Sequence, residues 1–268
     1  MHLPSPEKTN LFRPRTVAVV WAVLCHAAFA TAVGMMIYVM YTGMQAGSGM
    51  LQGPWRWLAN AFLILQFPLL HSFLLTSSGR RWLKRLAPAR LGEPLVTTTY
   101  VTIASLQVIL LFALWSPGGI VWWQAEGWPR VFLSLLYATA WLLLFKSIAD
   151  AGLGLHTGTI GWRAVWRNAK ALYPPMPTGG LFRLCRQPIY LSFALTLWTV
   201  PVWTPDQLFL ALPLTAYCLL GPLLKEERFK RMYKAEFELY RRQIPYWLPW
   251  PRRRAAGANE TTDTVNAQ

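Results

Sequence analysis

The 268-residue chain contains little negative charge and few of the side chains that most soluble enzymes use for catalysis. It has 11 acidic residues against 26 basic ones, four histidines and three cysteines. Cys25, Cys185 and Cys218 lie far apart and are odd in number, which argues against a disulfide framework and offers no metal-binding spacing. The sequence also has no glycine-rich phosphate loop, no nucleophile elbow and no closely spaced pair of histidines. These absences exclude the common nucleotide-binding, hydrolase and zinc architectures.

What the chain has instead is long apolar runs. It is 54% hydrophobic, with a mean hydropathy of +0.29. Six runs carry almost no ionised side chain: 17–40, 58–76, 98–115, 131–149, 189–203 and 207–224. Most approach the 20 or so residues needed to cross a bilayer, whereas the fifth, at about 1.5 Å per residue, is short for a straight crossing. The first run is too long for the apolar core of a signal peptide. We therefore expect an all-α integral membrane protein with about six transmembrane helices.

The positive charges indicate how these spans are oriented. If the N-terminus is cytoplasmic and all six runs cross, 24 of the 26 Lys and Arg residues lie on or next to the inner segments 1–16, 77–97, 150–188 and 225–268. Positive residues concentrate on the cytoplasmic side of membrane proteins, so both termini are expected in the cytoplasm. The net charge of +15 then comes mainly from a cytoplasmic collar, meaning the positive residues of these inner segments, which attracts anionic lipid headgroups rather than nucleic acid. The expected location is the inner (cell) membrane of a bacterium.

The same reasoning divides the chain into consecutive segments. A cytoplasmic N-terminal tail (1–16) precedes a four-helix transmembrane region (17–150). A cytoplasmic connection (151–188), a helical hairpin (189–224), an amphipathic helix with its cap (225–250) and a disordered tail (251–268) follow. The connection is too long for an ordinary loop, and loops of that length are often functional.

The helix expected after the hairpin has one carboxylate on its apolar side. At about 100° per residue, an apolar stripe lies within about 60° of the direction of Glu226, and its members are Phe229, Tyr233, Phe237, Tyr240 and Ile244. An amphipathic helix lying on lipid would explain the stripe but not the carboxylate. A buried carboxylate requires a partner. We therefore expect this helix to fold back and to cover a cofactor pocket.

A second set of polar residues begins the hairpin. Arg186 and Gln187 precede Pro188, which suits the first turn of a helix, so they stand at a positive helix end that favours an anionic group. Taken alone, Arg186 could equally belong to the cytoplasmic collar. Together with Glu226, and with Tyr190 and Tyr240 as aromatic surfaces, it supplies what S-adenosylmethionine needs: a cation for its carboxylate, an anion for its amino or hydroxyl groups, and rings for its adenine.

These residues also resemble the signature of a known family. The motif Arg-x-Pro-x-Tyr, a hairpin, a Glu-Glu pair and then spaced aromatic residues is present here, and its members are Arg186, Pro188, Tyr190, Glu226, Glu227, Tyr240, Arg241 and Pro249. The chain resembles the membrane methyltransferases related to isoprenylcysteine carboxyl methyltransferase. Within them it is most similar to the bacterial methanethiol S-methyltransferases. The similarity covers most of 60–250 and is dense only in 181–250.

The resemblance implies a cofactor and a set of site residues. It implies S-adenosylmethionine bound by Arg186, Gln187, Pro188, Tyr190, Glu226, Glu227, Tyr240 and Arg241. His156 in the inner connection and Arg186 are the candidate catalytic residues. Gln187 stands where the family usually has His, and because an amide does not titrate, any general base must lie elsewhere. Phe237 replaces a common Tyr, and the Glu-Arg pair before Thr99 and the acid after His156 are absent.

Three functions remain open from the residues. The first is S-methylation of a small thiol such as methanethiol, which gives dimethyl sulfide. The second keeps the cofactor but takes an isoprenylcysteine, a phospholipid or another lipid-like acceptor. The third is a non-catalytic accessory protein or a transporter, against which the spans lack mid-membrane ionisable residues and the chain lacks inverted repeats. The expected partners are the lipid bilayer and the acceptor, with no metal, nucleic acid or obligate protein partner.

Overall fold

A computed structural model describes residues 14–88 and 90–248, and nearly all of their regular structure is helical. In chain order the elements are α1 (Pro14–Tyr41), α2 (Gly53–Leu74), α3 (Ser77–Arg85), α4 (Gly92–Ala113), β1 (Trp123–Gln124), α5 (Gly127–His156), α6 (Thr159–Trp166), a 3-10 helix (Gly180–Arg183), α7 (Pro188–Trp198), β2 (Val202–Trp203) and α8 (Pro205–Gln243). The disorder expected for the first ten residues and for 251–268, and the position of Pro249, lie outside the described residues.

Five of these helices have the length and composition of membrane spans. They are α1, α2, α4, α5 and α8, while α7 has only 11 residues. Large apolar side chains on their outer surfaces are open, as with Phe62 and Leu142, which are 70% and 68% exposed. Extensive exposed apolar surface of this kind is typical of a lipid-facing wall. The expected all-α, multi-pass membrane architecture is confirmed.

The connections after α1, α4 and α7 meet at one end of the bundle. β1 pairs antiparallel with β2, which places Trp123 opposite Trp203. The Thr204 hydroxyl donates to the carbonyl of Gly43 at 2.6 Å. The carboxylate of Asp206, which is fully buried, accepts from the Trp115 indole at 3.1 Å. The short α7 and the extended residues after it therefore reach the same end as the much longer α5.

The two short helices α3 and α6 lie at the other end, where most of the described positive charges also lie. Arg80 donates to the Glu93 carboxylate at 2.8 Å, tying α3 to the start of α4. The hydroxyl of Thr98 in α4 donates to the carbonyl of Gly158 at 2.7 Å, just before α6 begins. The sequence analysis did not predict α3 or α6, because both are short and lie inside polar connections.

The main core combines aromatic and aliphatic side chains and lies between the helices toward the first of these ends. Phe112 and Trp115 from α4, Trp141 from α5, and Leu197 and Leu210 from α7 and α8 belong to one buried cluster. The principal helix contacts are α1 with α4 and α5 with α7, and α8 packs on α7. This core holds α7 and α8 side by side, which fixes the first turns of α7 against the middle of α8.

Helix α8 continues well past the apolar run, without a boundary at Lys225. The stretch before its break at Lys234, residues 205–233, spans roughly 43 Å at about 1.5 Å per residue, against a hydrocarbon core of about 30 Å. The helix breaks at Lys234, where φ is 45° and ψ is −115°. Beyond this break Phe237 and Tyr240 pack against Met176. Two residues of the predicted apolar stripe are thus buried against the protein, and the covering of a cofactor pocket by this segment stays a prediction.

Candidate functional site

The segment before α7 is tied to α5 and then turns into the helix. Gly180 has φ +57°, and a Cβ atom there would collide with the carboxylate of Asp150, so a larger residue would push the segment away. The same carboxylate accepts from the Leu181 amide at 2.8 Å. Pro188 occupies the first turn of α7, where its missing N–H costs nothing. These constraints bring Arg186 and Gln187 to the start of α7, facing α8.

Arg186 holds α7, α8 and the C-terminal segment together. Its Nε and Nη2 donate to the two carboxylate oxygens of Glu226 at 2.9 and 3.3 Å. Its Nη1 donates to the carbonyls of Arg241 and Ile244 at 3.0 and 2.8 Å. Its backbone N–H donates to the carbonyl of Pro245 at 2.9 Å. Four of the five guanidinium hydrogens are therefore used within the protein.

Glu226 is the acceptor at the centre of this network. Besides Arg186, it accepts from the Gln187 amide nitrogen at 2.8 Å. All three residues are buried, and the side chains of Arg186 and Glu226 are each 9% exposed. A buried ion pair is sustained only when further hydrogen bonds satisfy its remaining groups. Here Oε1 has two donors and Oε2 has one. Because each carboxylate oxygen accepts about two hydrogen bonds, Oε2 retains capacity for one more donor.

A small, partly open cavity lies beside this network. The residues lining it are Pro177, Phe182, Arg186, Gln187, Lys225, Glu226, Phe229, Phe237 and Tyr240. Its walls thus combine one carboxylate, two cationic groups and several aromatic faces. The space inside it is about 10 Å³, room for about one water molecule. Pockets for drug-sized ligands measure about 300–1,000 Å³, so this cavity marks a polar cleft that must widen to take a ligand.

The structure brings together some of the sequence-predicted site residues and separates others. Tyr240 lines the cavity and donates to the carbonyl of Phe182 at 2.7 Å. The Tyr190 ring centre lies 5.8 Å from the Lys225 ammonium, one turn into α7. Glu227 instead faces outward and pairs with Lys230 at 2.6 Å. Arg241 contributes its carbonyl to the network, while its side chain pairs with Glu238 at the surface.

His156 ends α5 and lies near the cavity without lining it. Its Nδ1 is 3.2 Å from the carbonyl oxygen of Gly152. Since a carbonyl oxygen only accepts, Nδ1 carries the proton of this hydrogen bond, and Nε2 of the neutral ring is the proton acceptor. The imidazole also interacts electrostatically with Lys225. The catalytic role of His156 stays a prediction, now with its free nitrogen assigned.

Lys225 is a charged cavity residue that sequence reasoning missed as a site residue. Its ammonium donates to the Gln187 side-chain oxygen at 2.9 Å. The rings of Phe182, Tyr190 and Phe229 surround it at 5.4–5.8 Å. The available signal was its position beside Glu226 at the end of an apolar run, but it was counted with the cytoplasmic collar.

Burial also alters the titration of two groups next to the network. Burial raises the pKa of the Cys185 thiol, opposed by a backbone hydrogen bond at Gln187 and by the Lys225 charge. Burial likewise raises the pKa of Tyr246, whose ring lies 5.5 Å from the Arg186 guanidinium. Both groups therefore stay neutral and protonated at cytoplasmic pH. They therefore add no negative charge next to the network.

The chain is similar to proteins named methanethiol S-methyltransferase. It is 28% identical over 244 residues to "Methanethiol S-methyltransferase 2" of Bradyrhizobium diazoefficiens, covering 88% of this chain and 91% of that one. It is 29% identical over 206 residues to the Pseudomonas deceptionensis protein, covering 75% of each. Nurim of Sus scrofa is 27% identical over 177 residues, covering 62% of this chain and 64% of that one. No protein-family model matches the chain, and no solved structure matches it.

These similarities extend through the transmembrane region as well as the C-terminal motif, since the Bradyrhizobium match covers nearly nine-tenths of the chain. The resemblance to membrane methyltransferases, and among them to the bacterial methanethiol S-methyltransferases, is thereby confirmed.

Proposed function

We propose that the protein is an S-adenosylmethionine-dependent membrane methyltransferase that methylates a small thiol, such as methanethiol, to a thioether. The observation that carries this proposal is the cavity at the start of α7, where Glu226 keeps an acceptor position beside aromatic walls. The relatives named methanethiol S-methyltransferase support the thiol as acceptor. The alternative acceptors with lipid character have no specific contact in their favour.

The chemistry of the cavity fits S-adenosylmethionine. Its amino acid end carries an ammonium and a carboxylate, and Glu226 and Lys225 supply the opposite charges. The rings of Phe229, Phe237 and Tyr240 offer surfaces for a sulfonium or an adenine. The cavity has room for about one water molecule, so in this proposal the cleft between α7 and the C-terminal segment widens to admit S-adenosylmethionine.

The residues around the cavity also suit the reaction. When bound, S-adenosylmethionine supplies an electrophilic methyl group on a positively charged sulfur. Attack by a thiolate neutralises charge, so apolar walls that exclude water favour the transition state. Glu226 and the aromatic residues fix the donor, which leaves alignment of the acceptor sulfur as the main task. In this proposal His156, which ends α5 outside the cavity lining, takes the thiol proton on Nε2.

The membrane arrangement belongs to the same proposal. All six helical runs cross in it, with both termini in the cytoplasm and the cavity at the cytoplasmic face. The meeting of the connections after α1, α4 and α7 at one end supports six crossings, because α7 then runs from one face to the other. Cytosolic cofactor reaches the cavity directly, and an apolar thiol reaches it from the lipid. A bacterial inner membrane is the location that this charge distribution favours.

Cofactor binding is tested by calorimetry with S-adenosylmethionine and detergent-purified protein. Wild type should bind, and Glu226→Gln should weaken binding at least about tenfold, since it removes the charge from a charge-assisted hydrogen bond. Glu236→Gln, an exposed carboxylate on the same helix, is the matched control and should bind as wild type does. Thermal unfolding of each variant checks that the fold survives. Wild-type protein that binds no cofactor would refute the proposal.

A further inference from the structure

Arg186, the cation that the family motif assigns to an anionic group, has little capacity left for one. Its charge is matched by Glu226, with two hydrogen bonds at 2.9 and 3.3 Å. Two more of its hydrogens go to backbone carbonyls, and its face lies 5.5 Å from the Tyr246 ring. A carboxylate approaching Arg186 would have to displace these partners. Another cation must hold the carboxylate of a ligand in this cavity.

Lys225 has the capacity that Arg186 lacks. An ammonium has three donors, and within the described residues Lys225 uses one of them, to Gln187 at 2.9 Å. No carboxylate in that part of the chain forms a direct ion pair with it. Three aromatic rings at 5.4–5.8 Å compensate part of its lost hydration. A partly buried cation in this state is stabilised by an anion that completes its contacts.

Gln187 couples this lysine to the ion pair. Its side-chain oxygen accepts from Lys225 at 2.9 Å, while its nitrogen donates to Glu226 at 2.8 Å. The amide thereby holds a cation and an anion on the same cavity wall with a fixed separation. A protonated imidazole at this position could donate to Glu226 but could not accept from Lys225. The Gln that replaces the usual His of the motif is thus matched to Lys225 in this chain.

We propose that Lys225 binds the carboxylate of the methyl donor, with Gln187 positioning its ammonium. The donor's own ammonium or ribose hydroxyl then takes the remaining acceptor position on Glu226. This assignment rests on the proposed function, because it names the residue that binds the carboxylate of S-adenosylmethionine. The two cations then have different roles: Arg186 stabilises the fold around the cavity, and Lys225 contacts the ligand.

The test compares two ligands that differ by a single carboxylate. Binding of S-adenosylmethionine and of decarboxylated S-adenosylmethionine is measured by calorimetry for wild type, Lys225→Met and Lys230→Met. Lys225→Met should weaken S-adenosylmethionine at least about tenfold, the loss of one charge-assisted contact, and should change the decarboxylated ligand by less than about twofold. Lys230, which pairs with Glu227 on the surface, is the matched control, and its variant should bind both ligands as wild type does.

Each other outcome decides against the assignment. Equal losses for both ligands would mean that Lys225 only supports the cavity, and unchanged affinities would mean that it touches neither. Intact donor binding together with a raised KM for methanethiol would assign Lys225 to the thiolate of the acceptor instead. If wild type binds neither ligand, the proposed function itself fails. Binding of the decarboxylated ligand by Lys225→Met shows that this variant is folded.

Discussion

At the residue scale, the proposed site consists of a few polar side chains that share a small, largely apolar space. Glu226 accepts from Arg186 and Gln187, and Gln187 in turn accepts from Lys225. In such surroundings each hydrogen bond orients the next group, and an unpaired charge is costly. The four side chains therefore form one connected hydrogen-bond network.

His156 gives a prediction about the proton. A thiol must lose its proton before it attacks, and Gln187 cannot take it. With Nδ1 donating to Gly152, Nε2 of the neutral ring is the acceptor in the inner connection. We expect His156→Ala to lower turnover at neutral pH by about 10²-fold or more, to leave cofactor affinity nearly intact, and to recover in part at alkaline pH, where free thiolate is plentiful.

The measurement is the pH–rate profile of wild type and His156→Ala at saturating cofactor. Calorimetry with S-adenosylmethionine serves as the control for an intact site. If both proteins show the same profile, the thiolate binds directly to a positive environment and no base is needed. The partial recovery at high pH separates a lost base from a damaged fold, because damage would not respond to the supply of thiolate.

At the element scale, the decisive feature is the break in α8 at Lys234. A non-glycine residue with φ near +45° is strained, at a cost of about 1–3 kcal/mol. The break redirects the helix so that Phe237 and Tyr240 cover the cavity, and Tyr240 is fixed there by its 2.7 Å bond to Phe182. The surrounding contacts must therefore repay the strain.

Because of this strain, we expect that glycine at Lys234 does not lower the stability relative to alanine, as it does in an ordinary helix. In an ordinary helix, Gly is about 0.5–1 kcal/mol less stable than Ala. At Lys234 we expect Lys234→Gly to be at least as stable as Lys234→Ala, because glycine adopts positive φ without penalty. Arg231, exposed and helical one turn earlier, is the control, where Gly should be the less stable choice. Thermal unfolding in detergent measures both pairs, and a Gly variant that is less stable than Ala at Lys234 would show that no such break exists.

Comparison with the sequence shows which elements local pattern could predict. Apolar runs located the long helices, and the stripe through Phe237 and Tyr240 located the returning segment, because both depend on neighbouring residues. The pairing of β1 with β2 joins Trp123 to Trp203, and nothing in two local residues encodes such a distant partner. Lys225 was missed for the same reason. It lies about 100° from Glu226 around the helix, and it faces the cavity only because Gln187 and aromatic rings from distant parts of the sequence pack beside it.

At the scale of the whole molecule, the arrangement in the membrane depends on α7. Its 11 residues cover roughly 16 Å at about 1.5 Å per residue, about half of the hydrocarbon core. The extended residues after it continue to the end where β1 and β2 pair. The proposed topology therefore places the short helix and its extension across the membrane, with the charged half of α8 returning to the cytoplasm.

Reporter fusions test this topology. With the N-terminus in the cytoplasm, six crossings return the C-terminus to the cytoplasm, whereas five crossings, without α7, would leave it outside. The side on which the C-terminus lies therefore decides whether α7 crosses. We expect a fluorescent protein fused after Gln268 to be fluorescent in cells, and alkaline phosphatase fused after Gly119, between α4 and β1, to be active. Fusion of the phosphatase after Gln268 is the control and should be inactive. An active phosphatase at that position would contradict six crossings.

The most direct measurement of the central claim follows the methyl group itself. Purified protein is supplied with methyl-labelled S-adenosylmethionine and methanethiol, and the headspace is analysed for labelled dimethyl sulfide. The account predicts labelled dimethyl sulfide in amounts equal to the S-adenosylhomocysteine formed, with at least about a tenfold decrease for Glu226→Gln. Label that stays on S-adenosylmethionine, or that appears in a lipid fraction instead of in dimethyl sulfide, would contradict it.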